Sequence, residues 1–369
     1  MLIVAVEASA DLHGAAVLRE LQALRPGLHA FGAGGPRMRA LGFEALIQAE
    51  DLSVMGVAEV LPALPRILES MDALRDAARE RRPRAALLID SPDFNLRLAR
   101  SLRALRIPVA YFIGPSVWAW RRYRVRQIAR DVSRMLVILP FEEKFYAQHG
   151  VQATYVGNPL ADDLRSGDTR AALHLDPARP VLALLPGSRL QEVRRLWPPM
   201  LAAARALRRK RPNLQLVVPV APTIARALLY APDVIFIEGR APEVLAAAAA
   251  AIVASGTATL EAALALTPLV VVYRTSWLTW LIGRLLVRVR FVSLVNLLAG
   301  RALVPELLQT ECTPDRIEAA AAPLLDQGPE RAAQLAGLRE LRETLAPEGA
   351  PHAARRAAAE VLRLLDGLP

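Results

Sequence analysis

Short apolar runs alternate with segments of helical period along the first half of the chain. Leu2–Val6, Leu28–Phe31, Ala85–Ile89, Val109–Ile113, Met135–Leu139 and Thr154–Val156 are apolar stretches of strand length. Between them, Leu12–Leu24, Arg66–Glu80, Asn95–Leu105 and Phe141–Gln148 repeat apolar positions at helical spacing. Strands that are apolar throughout, separated by helices, predict βαβ units and a parallel sheet covered on both faces. Gly157–Pro180 interrupts the rhythm: Asn158-Pro159, Ser166-Gly167-Asp168 and Asp176-Pro177 are turn-rich and read as a linker. The alternation then resumes, with strands expected at Val181–Leu185, Leu214–Pro219, Val234–Ile237, Ala251–Ala254 and Leu269–Val272. From Thr313 the chain is rich in Ala, Leu and Arg and reads as helical to its end, with Pro347 and Gly349 setting off the last helix.

The pattern predicts an α/β protein of two Rossmann-like, doubly wound domains, residues 1–165 and 166–312, followed by a helical tail, 313–369. Two such halves are expected to face a cleft, because ligands of these sheets bind beyond the C-terminal ends of the strands. That is the GT-B architecture of glycosyltransferases and also that of sugar-nucleotide epimerases. A dinucleotide oxidoreductase is not expected, since Glu7-Ala8-Ser9-Ala10-Asp11, rather than a Gly-x-Gly-x-x-Gly turn, follows the first strand.

Composition narrows the picture. A chain of 369 residues with 53% hydrophobic content and mean hydropathy of +0.26 has ample apolar surface for two cores and excludes disorder. The single cysteine, Cys312, rules out an internal disulfide and suits a reducing compartment. Met1–Val6 is too short, and lacks the basic flank, to act as a secretory signal. No transmembrane span is expected either: Ala246–Ala254 is too short, and Arg284, Arg288 and Arg290 cut the run from Trp277. The net charge is +10, and Lys144 and Lys210 are the only lysines among 46 basic residues. Arginine bias of this kind also follows from a GC-rich genome. The excess of cations itself favours an anionic partner, whether nucleic acid, lipid phosphate or nucleotide.

Candidate chemistry gathers at predicted strand ends. Glu7, Ser9 and Asp11 follow the first strand. Asp90-Ser91-Pro92-Asp93-Phe94-Asn95 follows Ala85–Ile89, where a carboxylate could act as general base on a sugar hydroxyl. Asp93 fits an N-cap for a helix at Asn95, which leaves Asp90 as the freer acid; Asp90 also reads simply as a strand end. Ser116, Trp118 and Trp120 lie in a Gly-Pro turn, as a lid over the core or as a stacking surface. In the second half, Pro186-Gly187-Ser188 turns the chain and sets Arg189 at a helix start. The turn Ser255-Gly256-Thr257-Ala258-Thr259 does the same after Ala251–Ala254. Free backbone amides and the helix dipole make such turns phosphate seats, while each alone also reads as an ordinary capped turn. Two in one domain could grip a diphosphate, with Glu261 accepting from ribose hydroxyls or serving as a helix-dipole acid.

Two segments suggest lipid. Between Glu261 and Glu306 no acidic residue occurs, while Trp277, Trp280, Arg284 and Arg288 interleave with apolar positions. That is the profile of an interfacial membrane helix, with an oligomer interface as the competitor. In the first domain, Val57, Val60, Leu61, Leu64, Ile67 and Leu68 form an apolar stripe that Pro62 and Pro65 make a poor regular helix. It reads as a flap for acyl chains or as a core helix. The five histidines are scattered, and no cluster has metal-ligand spacing, so neither a metal nor a cofactor is expected.

Taken together, the chain resembles the lipid-A-disaccharide synthase family from end to end. The resemblance rests on Glu7-Ala8-Ser9-x-Asp11, Gly35-Pro36-Arg37-Met38, Val54-Met55-Gly56 and Ile89-Asp90-x-Pro92-Asp93-Phe94-Asn95. It continues through Pro115-Ser116-Val117-Trp118-Ala119-Trp120-Arg121, Leu139-Pro140-Phe141-Glu142, Leu184-Leu185-Pro186-Gly187-Ser188-Arg189 and Ala254–Glu261, and closes with Ser293-Leu294-x-Asn296-Leu297-Leu298-Ala299-Gly300-Arg301. It implies an inverting, metal-independent GT-B enzyme on the cytoplasmic face of the inner membrane. Such an enzyme joins UDP-2,3-diacylglucosamine to 2,3-diacylglucosamine-1-phosphate (lipid X) and releases UDP. It implies Asp90 as the catalytic carboxylate, Arg189, Ser255–Thr259, Glu261 and Asn296 around UDP, and the first domain as the acceptor and acyl side. It also implies a homodimer that exchanges C-terminal segments, and leaves no place for nucleic acid. Val6, Ala10, Gly114, Asn158 and Val295 depart from the family pattern, and the methyl of Ala10 is expected to narrow a close backbone approach to substrate. The competing readings are a peptidoglycan-precursor N-acetylglucosaminyltransferase, a UDP-N-acetylglucosamine 2-epimerase, and a non-catalytic protein that binds membrane surfaces.

Overall fold

The computed structural model describes residues 1–52, 57–162, 169–277, 280–281, 283, 290–347 and 349–367, apart from the side chains of 57–63. The chain forms two compact units, Met1–Asp162 with Gly349–Pro369, and Asp163–Glu348.

The first unit is built on a seven-stranded sheet: β1 (Leu2–Val4), β2 (Phe31–Gly34), β3 (Glu44–Gln48), β4 (Ala86–Ile89), β5 (Val109–Phe112), β6 (Arg134–Val137) and β7 (Ala153–Tyr155). All pairs are parallel, in the order β3-β2-β1-β4-β5-β6-β7. Alternate residues feed two cores, as the period of a strand requires. Leu2, Val4, Leu88, Tyr111 and Met135 pack on one face. Ile3, Leu87, Ile89, Phe112 and Leu136 pack on the other, beneath Val17, Leu18 and Leu21 of the helix Ala8–Leu24.

The tail divides. Helices Pro314–Leu325 and Pro329–Leu345 belong to the second unit, and only the last helix, Ala353–Leu365, belongs to the first. Its Ala357, Ala358, Val361 and Leu365 complete the second core. Polar contacts fix it there: both oxygens of Asp162 accept from the Ala353 amide, at 2.9 and 3.1 Å. Arg134 pairs with Glu360 at 2.6 Å, largely screened from water.

The second unit repeats the plan with β8 (Val181–Leu185), β9 (Gln215–Val220), β10 (Ile235–Glu238), β11 (Ala250–Ala254), β12 (Leu269–Tyr273) and β13 (Glu306–Leu308). The order is β10-β9-β8-β11-β12-β13, again parallel throughout. In both sheets, therefore, the strand order reverses between the first strand and the fourth, at β1/β4 and at β8/β11. Doubly wound sheets bind ligands at such switch points.

Several expectations need correction. β2 lies at Phe31–Gly34 rather than Leu28–Phe31. Its Phe-Gly-Ala-Gly sequence has little strand propensity, yet glycine is required, because a Cβ on Gly32 would stand 2.2 Å from the Ile3 carbonyl oxygen. β3 and β13 were not anticipated; both are short, half-buried edge strands that begin with glutamate. The first helix begins at Ala8, not Leu12, so Ser9 and Asp11 lie in its first turn. Residues 57–68 belong to a regular helix, Val57–Arg81, despite Pro62 and Pro65. Each proline costs one backbone hydrogen bond, while Ile67, Met71, Leu74 and Ala78 pack that helix on the sheet.

Candidate active site

At the first switch point, β1 leads to Glu7 and β4 to Asp90. Asp90 and Ser91 both have left-handed backbone, with φ of +51° and +43°. Neither is glycine, and such residues cost on the order of 1–3 kcal/mol each and persist only where their surroundings hold them. Here the surroundings do. The buried Tyr111 hydroxyl donates to the Asp90 carbonyl oxygen at 2.5 Å, and Asn95 Nδ2 donates to it at 2.9 Å and to the Ile89 carbonyl at 3.0 Å. The Asp90 amide in turn donates to the Phe112 carbonyl at 3.0 Å. This leaves the Asp90 side chain at the strand end without a side-chain donor among the described residues. Burial, and then the charge of Glu7, raise its pKa above the ordinary carboxylate value. A base so placed binds a proton more readily than a solvated aspartate. The Ser91 hydroxyl donates to Glu7 Oε1 at 2.8 Å, tying the two strand ends together.

The other two candidate aspartates of the first unit are engaged elsewhere. Asp11 is buried and accepts three amides: Gly35 and Met38 on Oδ1 at 2.8 and 3.1 Å, and Arg37 on Oδ2 at 3.0 Å. It caps the short helix Pro36–Arg39, and Gly35 is glycine because a Cβ there would meet Asp11 Cγ at 2.6 Å. Asp93 is not the expected N-cap; Ser91 is, with Pro92 as the first helical residue. Asp93 is exposed instead and pairs with Arg124 and, at 3.6 Å, with Arg121. Ser9 and Ser116 are exposed.

Trp118 donates from Nε1 to Glu142 Oε1 at 3.1 Å and meets Phe141 edge-to-face at 5.1 Å. Glu142 Oε2 also accepts the Leu139 amide at 3.0 Å, so one buried carboxyl caps a helix and holds the tryptophan loop. Burial outweighs those donors and pushes its pKa to about 7. Between the ordinary value of 4.5 and about 7, the folded protein keeps a proton that the unfolded chain has released. Stability therefore falls as pH rises through that window and is flat above it. Glu142→Gln should remove this dependence. Its unfolding free energy relative to the parent should improve by up to about 3 kcal/mol between pH 4.5 and 7, measured by denaturant titration. A pH-independent difference would contradict the assignment.

The departures from the family pattern have local causes. The Ala10 side chain is buried in the core with Ile3 and Val17, so its methyl does not face a substrate, contrary to expectation. A Cβ on Gly114 would meet Met135 Cε at 2.4 Å; the methionine fills the space a larger residue would need. Val6 and Val295 are buried apolar residues. Asn158 is buried, donating to the Ile138 carbonyl at 3.3 Å and accepting the Leu160 amide at 3.0 Å.

At the second unit's switch point, β8 leads into Gly187 (φ +111°) and then Arg189, the N-cap of the helix Leu190–Lys210. The φ of Gly187 favours glycine, and a Cβ there would also meet Glu192 Cβ at 2.9 Å. The Arg189 side chain is 82% exposed and pairs with Glu192 at 2.9 Å. An exposed pair of this kind contributes little and is readily exchanged for a phosphate. β11 leads into Ser255 and Gly256, the N-cap of the helix Thr257–Leu264. Its first turn leaves the Thr257 and Ala258 amides without intrahelical partners, while the buried Thr259 hydroxyl donates to the Gly256 carbonyl at 2.7 Å. Glu261 is half-buried, receives no side-chain donor among the described residues, and has its pKa raised by burial alone.

Asn296 differs from its neighbours. Its Nδ2 donates to Val304 O at 2.9 Å and Glu306 Oε1 at 2.8 Å, and its Oδ1 accepts the Leu303 and Val304 amides at 2.8 and 2.9 Å. With its carboxamide fully used and buried, it has no group left for a ligand. Glu306, Tyr111 and Ser91 were not singled out as site residues from the sequence; the one signal for Glu306 is that it ends the long acid-free run.

The lipid candidates divide. Leu64 and Leu68 are exposed and Ile67 packs on the core, while the side chains of Val57, Val60 and Leu61 lie outside the described residues. Trp277 is 73% exposed and Leu281 is also exposed; Trp280 is half-buried, and Arg284 and Arg288 lie outside the described residues. Among the described residues no helix is long and apolar enough to cross a membrane.

Comparison with known proteins gives the family and the fold. A family model described as lipid-A-disaccharide synthetase matches residues 1–361. The lipid-A-disaccharide synthase of Anaeromyxobacter dehalogenans (strain 2CP-C) is 54% identical over 375 residues, covering 99% of this chain and 97% of the relative. Among solved structures, the glycotransferase of kitacinnamycin aligns with TM-score 0.67 at 19% identity, over 100% of this chain and 98% of that one. The UDP-GlcNAc 2-epimerase from Neisseria meningitidis, bound to UDP-GlcNAc, aligns with TM-score 0.61 at 13% identity, over 99% and 98%. At those identities the structures establish the fold, GT-B, which transferases and epimerases share.

Proposed function

The chain belongs to the lipid-A-disaccharide synthase family, glycosyltransferases of lipid A biosynthesis, and from that premise we propose that it joins UDP-2,3-diacylglucosamine to lipid X by direct, inverting displacement without a metal. Asp90 takes the proton from the acceptor's 6-hydroxyl as that oxygen attacks the anomeric carbon, and the bond to the UDP oxygen breaks on the opposite face. Arg189 and the helix starts at Leu190 and Thr257 hold the diphosphate as its charge develops, through backbone amides and a guanidinium. Glu261 accepts from the ribose hydroxyls, and Asn296 acts by fixing the chain around it.

The observation that carries this reading is the coincidence of chemistry with topology. In each sheet the candidate residues lie at the ends of the two strands where the order reverses: Glu7 and Asp90 at β1 and β4, Arg189 and Ser255 at β8 and β11. The raised pKa of Asp90 and the exposed guanidinium of Arg189 suit the two roles. The exposed Leu64, Leu68, Trp277 and Leu281 suit acyl chains and the surface of the inner membrane, on its cytoplasmic side.

The test is UDP release from UDP-2,3-diacylglucosamine with lipid X, run beside UDP-N-acetylglucosamine and with a chelator present. The expected result is release from the acylated donor alone, unaffected by the chelator, with a β-linked disaccharide-1-phosphate as product. Turnover of the unacylated donor would favour the other UDP-sugar enzymes. Vesicle binding without UDP release would favour a non-catalytic membrane protein.

A further inference from the structure

We propose that Glu306 is a positioning residue for the nucleotide turn, an inference that rests on the diphosphate role given to Ser255–Thr259. Glu306 opens the edge strand β13, opposite Val271 of β12. Its single carboxylate gathers four neutral donors. Oε2 accepts the Val292 amide at 2.9 Å; Oε1 accepts the Ser293 amide at 3.0 Å, the Ser293 hydroxyl at 2.8 Å and Asn296 Nδ2 at 2.8 Å. No cation pairs with it among the described residues. The Val292 so held presents its carbonyl to the Ser255 hydroxyl, which donates to it at 3.1 Å. Ser255 is fixed on its other side by its amide, which donates to the Val272 carbonyl at 2.9 Å.

The arrangement needs an acid. Each oxygen of Glu306 accepts from at least one N–H, and an amide in its place would turn an NH₂ toward one of those donors. Gln309, the residue just after β13, grips the chain where it leaves β12: its Oε1 accepts the Thr275 amide at 2.7 Å and its Nε2 donates to the Thr275 carbonyl at 3.3 Å. β13 with Gln309 thus pins the chain at Thr275 as it departs and at Val292–Ser293 as it returns. Among the described residues, it is the Glu306 end that is linked, through Val292, to the turn that begins the helix Thr257–Leu264. The consequence for function is that the amides of that turn take their orientation from Ser255, Ser255 from Val292, and Val292 from Glu306. Glu306 acts through Ser255 rather than on the substrate itself.

Glu306→Gln should weaken UDP binding about tenfold, the effect of one misoriented hydrogen bond to a charged group. KM for the UDP-sugar should rise in parallel and kcat should fall by a smaller factor, because the same turn also holds the diphosphate as its charge develops. Glu306→Asp, which keeps both oxygens, should recover part of the affinity. Combined with Ser255→Ala, the effects of Glu306→Gln should be less than additive, since both act through one bridge. If Glu306→Gln does not fold, Ser293→Ala removes one donor and leaves the carboxylate, and should raise the UDP Kd by about threefold. A variant with lowered thermal stability but unchanged UDP Kd and KM would overturn the proposal, as would full additivity with Ser255→Ala. The parent protein and Arg189→Ala serve as references. If the parent does not bind UDP, the nucleotide role of the turn fails; if it binds, and Arg189→Ala weakens it but Glu306→Gln does not, only the role of Glu306 fails.

Discussion

Asp90→Asn is expected to lower turnover by roughly 10²–10⁴-fold, the range for loss of a general base. The substitution isolates the chemistry unusually well. Asparagine is among the few residues that tolerate left-handed backbone, so the φ of +51° at this position is kept. The Tyr111 hydroxyl and Asn95 Nδ2 hold the residue by its carbonyl oxygen, and they do not sense whether the side chain is an acid or an amide. What changes is the capacity to accept a proton. The raised pKa of the parent carboxyl, caused first by burial and then by Glu7, sets the direction of the pH dependence. Activity should fall as pH drops through that raised value, where the base becomes protonated and silent. The limb should be absent from the residual activity of the variant. Rates measured across pH with purified substrates check both statements, and near-normal turnover in the variant would remove Asp90 from the role.

The second large effect is expected at Arg189. Arg189→Ala should weaken UDP binding by about 10–100-fold, the loss of a charge-assisted, forked contact to a diphosphate. Because the side chain is exposed and its pair with Glu192 is a surface pair, thermal stability should scarcely move. The Arg189 amide still meets Glu192 Oε2 at 3.3 Å, so the helix start itself survives. Lysine should restore only part of the affinity, since an ammonium cannot reproduce the planar fork. Calorimetric titration with UDP measures the effect, and an unchanged affinity would count against the diphosphate role.

The sequence exposes what is written in continuous apolar runs. β4, β5, β8, β11 and β12 are bounded within a residue or so by their runs of buried aliphatic and aromatic residues, because both faces of a central parallel strand must be apolar. β2 escapes that logic: its glycines answer to the approach of the Ile3 carbonyl, a constraint invisible until β1 lies beside it. The edge strands β3 and β13 escape it too, being half-buried and polar at their ends. Pro62 and Pro65 mislead for the opposite reason, since local propensity there is overridden by the packing of the rest of the helix.

Among the candidate site residues, the strand-end placement of Asp90, Arg189 and the Ser255 turn is legible because strand-end chemistry is a local signal. Their supports are not. Tyr111 lies on the next strand, and its service to Asp90 depends on the pairing of β4 with β5. Glu306 reaches Ser293 and Asn296 only because β13 lies beside β12 in one register. Asp11 and Asn296 show the converse: residue types suited to binding sugars or nucleotides whose hydrogen bonds are taken up by the fold. Spacing along a sequence cannot distinguish a free acceptor from one already filled.

We propose a division of labour in which Asp90 of the first unit takes the proton and Arg189 with the helix starts of the second holds the leaving group. The most direct test is calorimetric titration of UDP into the Asp90→Asn protein. A Kd within about twofold of the parent is expected, since only a transition-state contact is removed. A loss of UDP affinity comparable to the loss of turnover would contradict it.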